Sequence, residues 1–370
     1  MTKRVLIIGA YGNFGSYITK KLVCEPDLKI VIAGRSEDKC RKLADKYNNV
    51  PNPPRWHVLD IDKNFSAALK AIAPDIVIHT SGPFQGQGYE VAEACIVQGC
   101  HYIDLSDGRD FVCGITALNE KAKARNVLVL SGASSVSTLT SAVIDHYLPQ
   151  YEKITAIDYA ISTAQQTSPG IATTAAILSY AGKPFKTLIA EKMQDVYGWQ
   201  SLHNHVYPTL GRRWLGNCDI PDLSLFPQRY KDLQTVRFYA GLEVPIIHFG
   251  LWVLSWLVRI GIIRGLETWA PFLLKLSHIF DWLGSKESGF YMHLFGTGKD
   301  RQLKEDVFYI VAGSGDGVFI PCMPSILLTK ALARNELRQR GAFPCVGVVP
   351  LEQYLDALKV LDIKSFAITG

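Results

Sequence analysis

The chain is 370 residues long, with 48% hydrophobic residues, 20% charged residues and a formal net charge of +5. This length predicts two domains, or one large domain that carries an insertion. The composition is typical of a folded protein and excludes general disorder. The positive charge is mild and scattered, so it does not indicate nucleic-acid binding.

The eight cysteines are scattered, and none stands in a Cys-x-x-Cys pair. The sequence therefore predicts neither a zinc site nor a redox motif, and we expect free thiols in a reducing cytoplasm. The first residues are basic and lead into an apolar run, as in a signal peptide, but the run is short and continues directly into a glycine-rich turn. We interpret it as a first strand and expect a cytoplasmic protein.

From Lys3 to about Leu130, short apolar runs alternate with helix-like segments. Strands are predicted at 5–9, 29–34, 56–61, 75–80, 101–105 and 126–132. This alternation is typical of consecutive βαβ units. The runs are almost continuously hydrophobic, as expected when helices cover both faces of a sheet. The predicted fold class is α/β, with a Rossmann-type doubly wound parallel sheet.

The regular alternation stops after Ser131. The pattern then predicts helices at 142–148, 170–180 and 323–337, a final helix within 341–358, strands near 154–162, 192–197 and 235–239, and a strand pair within 292–319 that returns to the sheet. We predict a doubly wound domain over 1–135, an inserted α+β domain over 136–320, and a C-terminal segment over 321–370 that packs back on the first domain.

Residues 244–283 are strongly apolar. Val244–Ile263 approaches the length of a membrane span, but Arg259, Pro245 and Gly250 interrupt it. Two hypotheses fit better than a span: helices buried in a domain or homodimer interface, or a peripheral contact with the inner face of a membrane. In the membrane hypothesis, the residues near the lipid headgroups are Trp252, Trp256 and Trp269.

The first predicted strand is followed by a glycine motif, Gly9-Ala10-Tyr11-Gly12-Asn13-Phe14-Gly15, which opens the first helix. Gly9 permits a tight turn, Gly12 lets the backbone approach a pyrophosphate, and Gly15 allows close packing of helix and strand. The free amides and the helix dipole would then bind phosphates. Between a strand and a helix, this motif predicts a dinucleotide site formed by all seven residues.

The end of the second strand indicates which dinucleotide binds. NAD-preferring domains carry an acidic residue there for the ribose 2′-hydroxyl, whereas this chain has Gly34-Arg35-Ser36. Arg35 can pair with a 2′-phosphate, and Ser36 can add a hydroxyl donor. The predicted cofactor is therefore NADP.

Two further loops lie at the carboxyl ends of predicted strands, where ligands bind in such sheets. Asp60 could face the adenine. The turn Ser81-Gly82-Pro83-Phe84 could line the nicotinamide ribose. Ordinary βα turns would have the same composition, so both interpretations stay open.

Four parts of the sequence together resemble the saccharopine dehydrogenase-like oxidoreductases: the glycine loop, the Ala-Gly-Arg sequence that ends at Arg35, residues 81–108 and residues 341–355. In that family, a Gly-Pro-Phe turn, a cysteine-bearing helix and a tyrosine–aspartate strand follow in this order. The resemblance implies an NADP-binding Rossmann domain with an inserted domain for substrate and dimerisation. The family's Gly-Glu pair is replaced here by Asp104-Leu-Ser-Asp107-Gly-Arg109, so saccharopine is not implied as the substrate.

Hydride transfer is the cofactor's chemistry, and the protein supplies orientation and a proton. The catalytic candidates are Asp104, Asp107 and Arg109 after the fifth strand. Arg109 could clamp a substrate carboxylate or pair with a neighbouring aspartate.

In the loops beyond the sixth strand, the candidates for substrate contact are Ser135, Gln166, His203, Arg212 and Arg213. His203 and His205 lack the further ligands that a metal site needs, so no metal is expected.

Three functions fit these observations. The first is an NADP-dependent oxidoreductase acting on a carbonyl or imine of a small carboxylate or amino-acid-like substrate. The second is a membrane-associated reductase of a lipid or polyketide, suggested by the apolar 244–283 region. The third is a non-catalytic NADP sensor or scaffold.

Overall fold

A computed structural model describes residues 2–63 and 65–369. The chain divides into two compact units. The first unit comprises Met1–Thr138 and Pro321–Val349, and the second comprises Leu139–Ile320 and Pro350–Gly370.

The structure contains sixteen strands and thirteen α-helices within the described ranges. The strands are β1 Lys3–Ile8, β2 Leu28–Gly34, β3 Arg55–Val58, β4 Ile76–His79, β5 His101–Asp104, β6 Leu128–Ser131, β7 Tyr151–Thr163, β8 Pro184–Ile189, β9 Lys192–Tyr197, β10 His203–Tyr207, β11 Gly211–Asn217, β12 Thr235–Leu242, β13 Ser288–Gly298, β14 Leu303–Ala312, β15 Gly341–Pro344 and β16 Ile363–Thr369. The α-helices are α1 Asn13–Leu22, α2 Glu37–Asp45, α3 Phe65–Ile72, α4 Glu90–Gln98, α5 Arg109–Gly114, α6 Asn119–Ala124, α7 Thr140–Tyr147, α8 Ile171–Ser179, α9 Asp222–Arg229, α10 Pro245–Arg259, α11 Ala270–Ser277, α12 Met323–Ala333 and α13 Leu351–Leu358.

The first unit is built on a seven-stranded sheet in the order β15-β6-β5-β4-β1-β2-β3. Every pair of neighbouring strands in it is parallel. The order reverses beside β1, so β1 and β4 flank the point where loops from opposite directions separate and leave a crevice. The predicted doubly wound α/β fold is confirmed.

The apolar runs of the central strands are buried on both faces, as their continuous hydrophobicity predicts. Leu6, Ile7 and Ile8 of β1 are almost completely buried, and so are Val77 and Ile78 of β4. Leu6, Ile8 and Val77 belong to a core cluster that also contains side chains of α3 and α4. The packed centre holds the carboxyl ends of β1, β2, β4 and β5 in fixed positions.

The second unit contains a mixed seven-stranded sheet in the order β10-β11-β12-β7-β13-β14-β16, with β8 and β9 as a separate hairpin. β7 lies at its centre, parallel to β12 and antiparallel to β13. The predicted strand pair within 292–319 belongs to this sheet as β13 and β14, and therefore does not return to the first sheet. Residues 316–319, which were included in that pair, belong instead to the 3₁₀ helix Asp316–Cys322.

The C-terminal segment corrects one boundary of the expected organisation. Residues 321–349 return to the first unit, where β15 pairs with β6. Residues 350–370 were expected there as well, but they belong to the second unit. The reason is β16, which pairs antiparallel with β14 and becomes the edge strand of the second sheet.

The apolar helices of the second unit share a core. Leu251 and Val258 of α10 form a buried cluster with Leu266, Ala270 and Trp199.

Among the described residues, Asp316–Ala333 is the helical stretch whose length and hydropathy would suffice to cross a membrane, and half of it is buried within the protein. A buried core helix passes the same test, so this stretch is weak evidence for a span.

Candidate functional site

The glycine loop between β1 and α1 is held tightly against β2. The amides of Gly9 and Ala10 both donate to the carbonyl oxygen of Ala33, at 2.9 and 3.2 Å. Gly9 has φ +76°, and an added Cβ would lie 2.6 Å from Ser81 Oγ. At Gly15 an added Cβ would lie 2.4 Å from the Gly9 carbonyl oxygen. The loop is therefore packed so closely at Gly9 and Gly15 that no larger side chain fits at either position.

The start of α1 is arranged to receive an anion. Gly12 is its N-cap residue and offers no capping side chain, and the first turn contains no acidic residue. The first amides of a helix have no intrahelical acceptors, so the amides of Phe14 and Gly15 suit a phosphate at the positive end of the helix dipole. This arrangement fits the pyrophosphate of a dinucleotide.

The end of β2 presents the groups expected for a 2′-phosphate. Arg35 is exposed, and its guanidinium has no hydrogen-bond or ion-pair partner among the residues of the described chain. Ser36 is the N-cap of α2, and its Oγ accepts from the Lys39 amide at 3.4 Å. Tyr11 lies over Gly34, where an added Cβ would be 2.4 Å from the ring, and its hydroxyl accepts from the Ser36 amide at 3.3 Å. Tyr11 thus connects the glycine loop to the strand end that carries Arg35.

Lys39 is a cation near this site that the sequence did not reveal. Its Nζ lies 5.5 Å from the centre of the Tyr11 ring. The residue stands in the first turn of α2, among Glu37 and Asp38. In sequence this charge pattern reads as an ordinary solvated helix start, and only the fold places the ammonium beside Tyr11.

The other two predicted cofactor loops differ in how closely they approach the glycine loop. The turn that contains Ser81 and the cis bond Gly82-Pro83 lies against Gly9, and the side chain of Gln87 donates to the carbonyl oxygens of Ser81 and Pro83. Phe84 is buried. The carboxylate of Asp60 accepts from the Asp62 amide and pairs with Lys63 at 3.6 Å, so it stabilises its own turn.

A buried polar cluster lies at the carboxyl ends of β4 and β5, next to the Ser81 turn. His79 is 1% exposed, and its Nδ1 lies 3.0 Å from the hydroxyl of Tyr102. Asp104, paired with His79 in the strand register, accepts through Oδ1 from the Ser106 amide, the Gly132 amide and the Ser131 hydroxyl. Burial lowers the pKa of His79 to about 3. Burial also raises the pKa of Asp104 to about 6, against the opposing effect of its hydrogen bonds.

The contacts of the candidate Asp104 give its carboxylate a structural role. Its Oδ1 ties the end of β5 to the end of β6. Oδ2 of Asp104 and Nε2 of His79 are buried and have no hydrogen-bond partner within the described part of the chain. Unpaired buried polar atoms cost free energy, so two of them together mark a place where a water molecule or a ligand group would be stabilised.

Asp107 and Arg109 follow on the same edge of the sheet. Asp107 is half-buried and accepts a hydrogen bond from Gln85 Nε2 at 3.2 Å. Burial raises its pKa. Arg109 begins α5 and is half-buried. Of the three catalytic candidates, Asp107 combines partial exposure with a raised pKa, which are properties that suit proton exchange.

The loop after β6 contains the candidate Ser135, which is buried. Nearby Ser137 adopts φ +72° and ψ −48°, a strained conformation for a residue with a side chain. The Thr138 hydroxyl donates to the carbonyl oxygens of Gly132 and Cys345, each at 3.1 Å. The loop is therefore rigid at the carboxyl edge of the sheet.

The candidates in the second unit have different surroundings. Arg213 is buried and pairs with Glu243 at 3.1 Å, and the Gln166 side chain donates to the carbonyl oxygens of Asp281 and Gly284. His203 stacks on Tyr239 with 5.0 Å between the ring centres. Arg212 is exposed and has no partner among the described residues. Arg212 is therefore the more available of the two adjacent cations.

Sequence reasoning missed several groups near the site. His79 stands inside an apolar strand run and carried no signal of its own. Tyr102, Gln85 and Gln87 lie within residues 81–108, which carry the family resemblance, but no role was predicted for them. Within 2–63 and 65–369, no group of three or more His, Cys, Asp or Glu side chains is placed to hold a metal ion.

Comparison with known proteins agrees with this geometry. Residues 5–131 match the family model of the saccharopine dehydrogenase NADP-binding domain. This stretch contains the glycine loop, Arg35, the Ser81 turn and the polar cluster. The predicted resemblance and the predicted cofactor, NADP, are confirmed.

Two curated relatives match over part of their length. A trans-acting enoyl reductase from Mycobacterium leprae is 27% identical over 138 residues, which are 36% of this chain and 32% of the relative. A probable mitochondrial saccharopine dehydrogenase-like oxidoreductase from Arabidopsis thaliana is 25% identical over 139 residues, 34% of this chain and 30% of the relative. The chain thus matches about a third of the length of these relatives.

A solved structure extends the similarity to the second unit at the level of fold. The apo form of saccharopine dehydrogenase (L-Glu forming) from Saccharomyces cerevisiae superposes with a TM-score of 0.70 at 12% identity, covering 99% of this chain and all of that one. At this identity the match concerns the fold alone.

Proposed function

We propose that this chain catalyses NADP(H)-dependent hydride transfer to or from a carbonyl or imine group, because residues 5–131 match the family model of the saccharopine dehydrogenase NADP-binding domain. The observation that carries the proposal is the combination of an uncapped helix start at Gly12 with an unpartnered Arg35. One group suits a pyrophosphate and the other suits a 2′-phosphate.

When bound, NADP(H) supplies the hydride or accepts it. The chain's own residues would do the rest. Gly12 would let the backbone approach the phosphates, while Gly9 and Gly15 allow the tight turn and the close packing of helix and strand. The Ser81 turn lies against Gly9. His79 and Asp104 are register partners at the ends of β4 and β5, and the His79 ring packs against Phe84 of that turn.

We assign the proton to Asp107. Its carboxyl group is partly accessible, is held by Gln85, and has a pKa raised by burial. A raised pKa keeps a larger protonated fraction near neutral pH, which favours proton donation as hydride arrives. Asp104 has its Oδ1 saturated by three donors, so we assign it to holding the strand ends together.

As the substrate, we favour a small carboxylate or amino-acid-like molecule. The supporting observation is Arg212, an exposed cation on β11 without a partner among the described residues. A guanidinium binds a carboxylate through two parallel hydrogen bonds. Arg213 is committed to Glu243 and is not assigned to substrate.

The second candidate substrate is a lipid or polyketide with an enoyl or keto group. The observation that favours it is the apolar surface of α10 and α11, which includes the exposed side chains of Ile246 and Phe272. The similarity of 138 residues of this chain to a trans-acting enoyl reductase is compatible with this substrate class.

The decisive experiment follows NADPH consumption by the purified full-length chain. One panel contains 2-oxo acids with ammonia or an amino acid, and the other contains enoyl and keto thioesters of increasing chain length. Turnover with the first panel supports the small-carboxylate proposal, and turnover restricted to the second supports the lipid alternative. NADPH binding without turnover on either panel contradicts the enzymatic proposal and favours an NADP sensor or scaffold.

Variants then separate the assigned roles. Asp107→Asn should lower kcat at least about a hundredfold while NADPH affinity stays unchanged, a typical size for the loss of a general acid. Asp110→Asn, at an exposed neighbouring carboxylate on α5, is the matched control. Equal kcat values for the two variants would show that Asp107 does not handle the proton.

A further inference from the structure

The second unit has an exposed apolar surface on α10, on α11 and on the turn after α11. We call it the apolar face and define it by Ile246, Val253, Ile260, Phe272, Ile279 and Trp282. The exposed fractions reach 63% for Ile260, 62% for Phe272 and 77% for Trp282. Soluble proteins rarely leave so many large apolar side chains uncovered in one region, and such surfaces usually mark an interaction site.

The spacing of these residues shows that each helix is two-sided. Ile246, Val253 and Ile260 follow one another at intervals of seven, so they share one face of α10. Leu251 and Val258 lie on the opposite face and are buried in the core cluster. On α11, the exposed Phe272 is two residues from the buried Ala270 and so faces away from it, and the exposed Ile279 follows in the 3₁₀ helix His278–Leu283. The buried core of the second unit is therefore formed without the residues of the apolar face, and this face remains available to a partner.

The charges beside the apolar face are unbalanced. Arg264 and Lys275 are exposed and have no partner within the described residues. The acidic groups are already engaged, because Glu267 pairs with Lys183 at 3.6 Å and Asp281 accepts from Gln165 at 2.8 Å. The surface thus offers apolar side chains together with unpaired cations.

We propose that the apolar face docks on an anionic phospholipid bilayer. The apolar side chains would enter the acyl boundary, Trp282 and Trp256 would lie at the headgroup level, and Arg264 and Lys275 would meet lipid phosphates. A second copy of the chain fits less well. A two-fold contact brings the same surface against itself, and the carboxylates described beside it, those of Glu267 and Asp281, are already paired.

The docking proposal does not depend on which substrate the enzyme uses. Membrane binding is measured without turnover, and turnover in the panels above is measured without membranes. Failure of one proposal is therefore distinguishable from failure of the other.

The test is sedimentation of the full-length chain with vesicles of phosphatidylcholine alone or of phosphatidylcholine with phosphatidylserine. We expect binding to the anionic vesicles, at least about tenfold weaker in the triple variant Phe272→Ser, Ile279→Ser and Trp282→Ser, because each buried apolar side chain contributes to partitioning. The variant Arg264→Glu with Lys275→Glu should lose the preference for anionic over neutral vesicles.

The matched control replaces exposed apolar residues elsewhere in the second unit, Leu303 and Val206, with Ser. It should bind vesicles like the original chain. An unchanged Tm of every variant checks that the second unit is folded, and NADPH binding checks the first unit.

Three results would overturn the proposal. The first is no binding of the original chain to anionic vesicles, and the second is an equal loss of binding in the control variant. The third is a dimer in vesicle-free buffer that the triple variant dissociates while vesicle binding is absent, because that result would assign the apolar face to a second copy of the chain.

Discussion

The preference for NADP over NAD can be tested at one exposed side chain. Arg35 follows β2, and nothing in the described structure neutralises its guanidinium. Its replacement therefore removes no internal contact, so the free energy of unfolding should hardly change. A charge-assisted hydrogen bond contributes ~1.5–3 kcal/mol, which corresponds to a loss of roughly tenfold to a hundredfold in NADPH affinity. Arg35→Glu should lie at the upper end of this range, because a carboxylate repels the 2′-phosphate.

The assay is titration of the purified chain with NADPH and with NADH, followed by ligand fluorescence or calorimetry. NADH has no 2′-phosphate, so its affinity should stay constant in Arg35→Glu. Lys42→Glu makes the same charge reversal at an exposed position of α2. It controls for the long-range electrostatic effect of the charge change, and it should leave the affinities for NADPH and NADH nearly unchanged. Unchanged NADPH affinity in Arg35→Glu, or an equal loss for NADPH and NADH, would refute the assignment of Arg35 to the 2′-phosphate.

Three further predictions concern the loop, the polar cluster and the buried ion pair. Gly15→Ala places a Cβ 2.4 Å from a backbone oxygen, so NADPH affinity and Tm should fall together, whereas Gly250→Ala meets nothing within 4 Å and should raise helix stability; intact NADPH binding in Gly15→Ala would contradict this. Because burial depresses the pKa of His79, its neutral form stabilises the fold above its usual pKa, and about 2 kcal/mol should be lost between about pH 7 and pH 5. The free energy of unfolding of His79→Asn, measured in urea, should lack this loss. Asp104 changes the free energy of unfolding in the opposite direction as the pH falls, and it does so in both proteins. If the free energies of unfolding of the two proteins vary with pH in parallel, the reasoning is refuted. Arg213→Ala leaves Glu243 without its charge partner and should cost ~3 kcal/mol or more in urea unfolding, whereas Arg212→Ala should change stability little and raise KM for a carboxylate substrate; equal stability losses would contradict the distinction.

The first unit shows how far local sequence patterns reach. Six predicted strands lie where β1 to β6 are found, because a strand buried on both faces needs a continuous apolar run that is visible in the sequence. The glycine motif could be recognised in the sequence for a similar reason, since the backbone geometry of a single turn requires its three glycines. The second unit was less accessible: β10 and β11 lie in a region rich in Gly, Pro and aromatic residues, and their pairing gave no periodic signal.

By itself, the sequence determined the doubly wound domain, the glycine loop and the prediction of NADP, because each depends on residues that are close together in the chain. Only the tertiary structure decided the environment of the remaining groups. It buried Arg213 against Glu243, joined His79 to Tyr102, and placed β16 beside β14. It also left one side of α10 and α11 uncovered. These outcomes depend on contacts between distant segments, where burial and charge are fixed by packing rather than by local pattern.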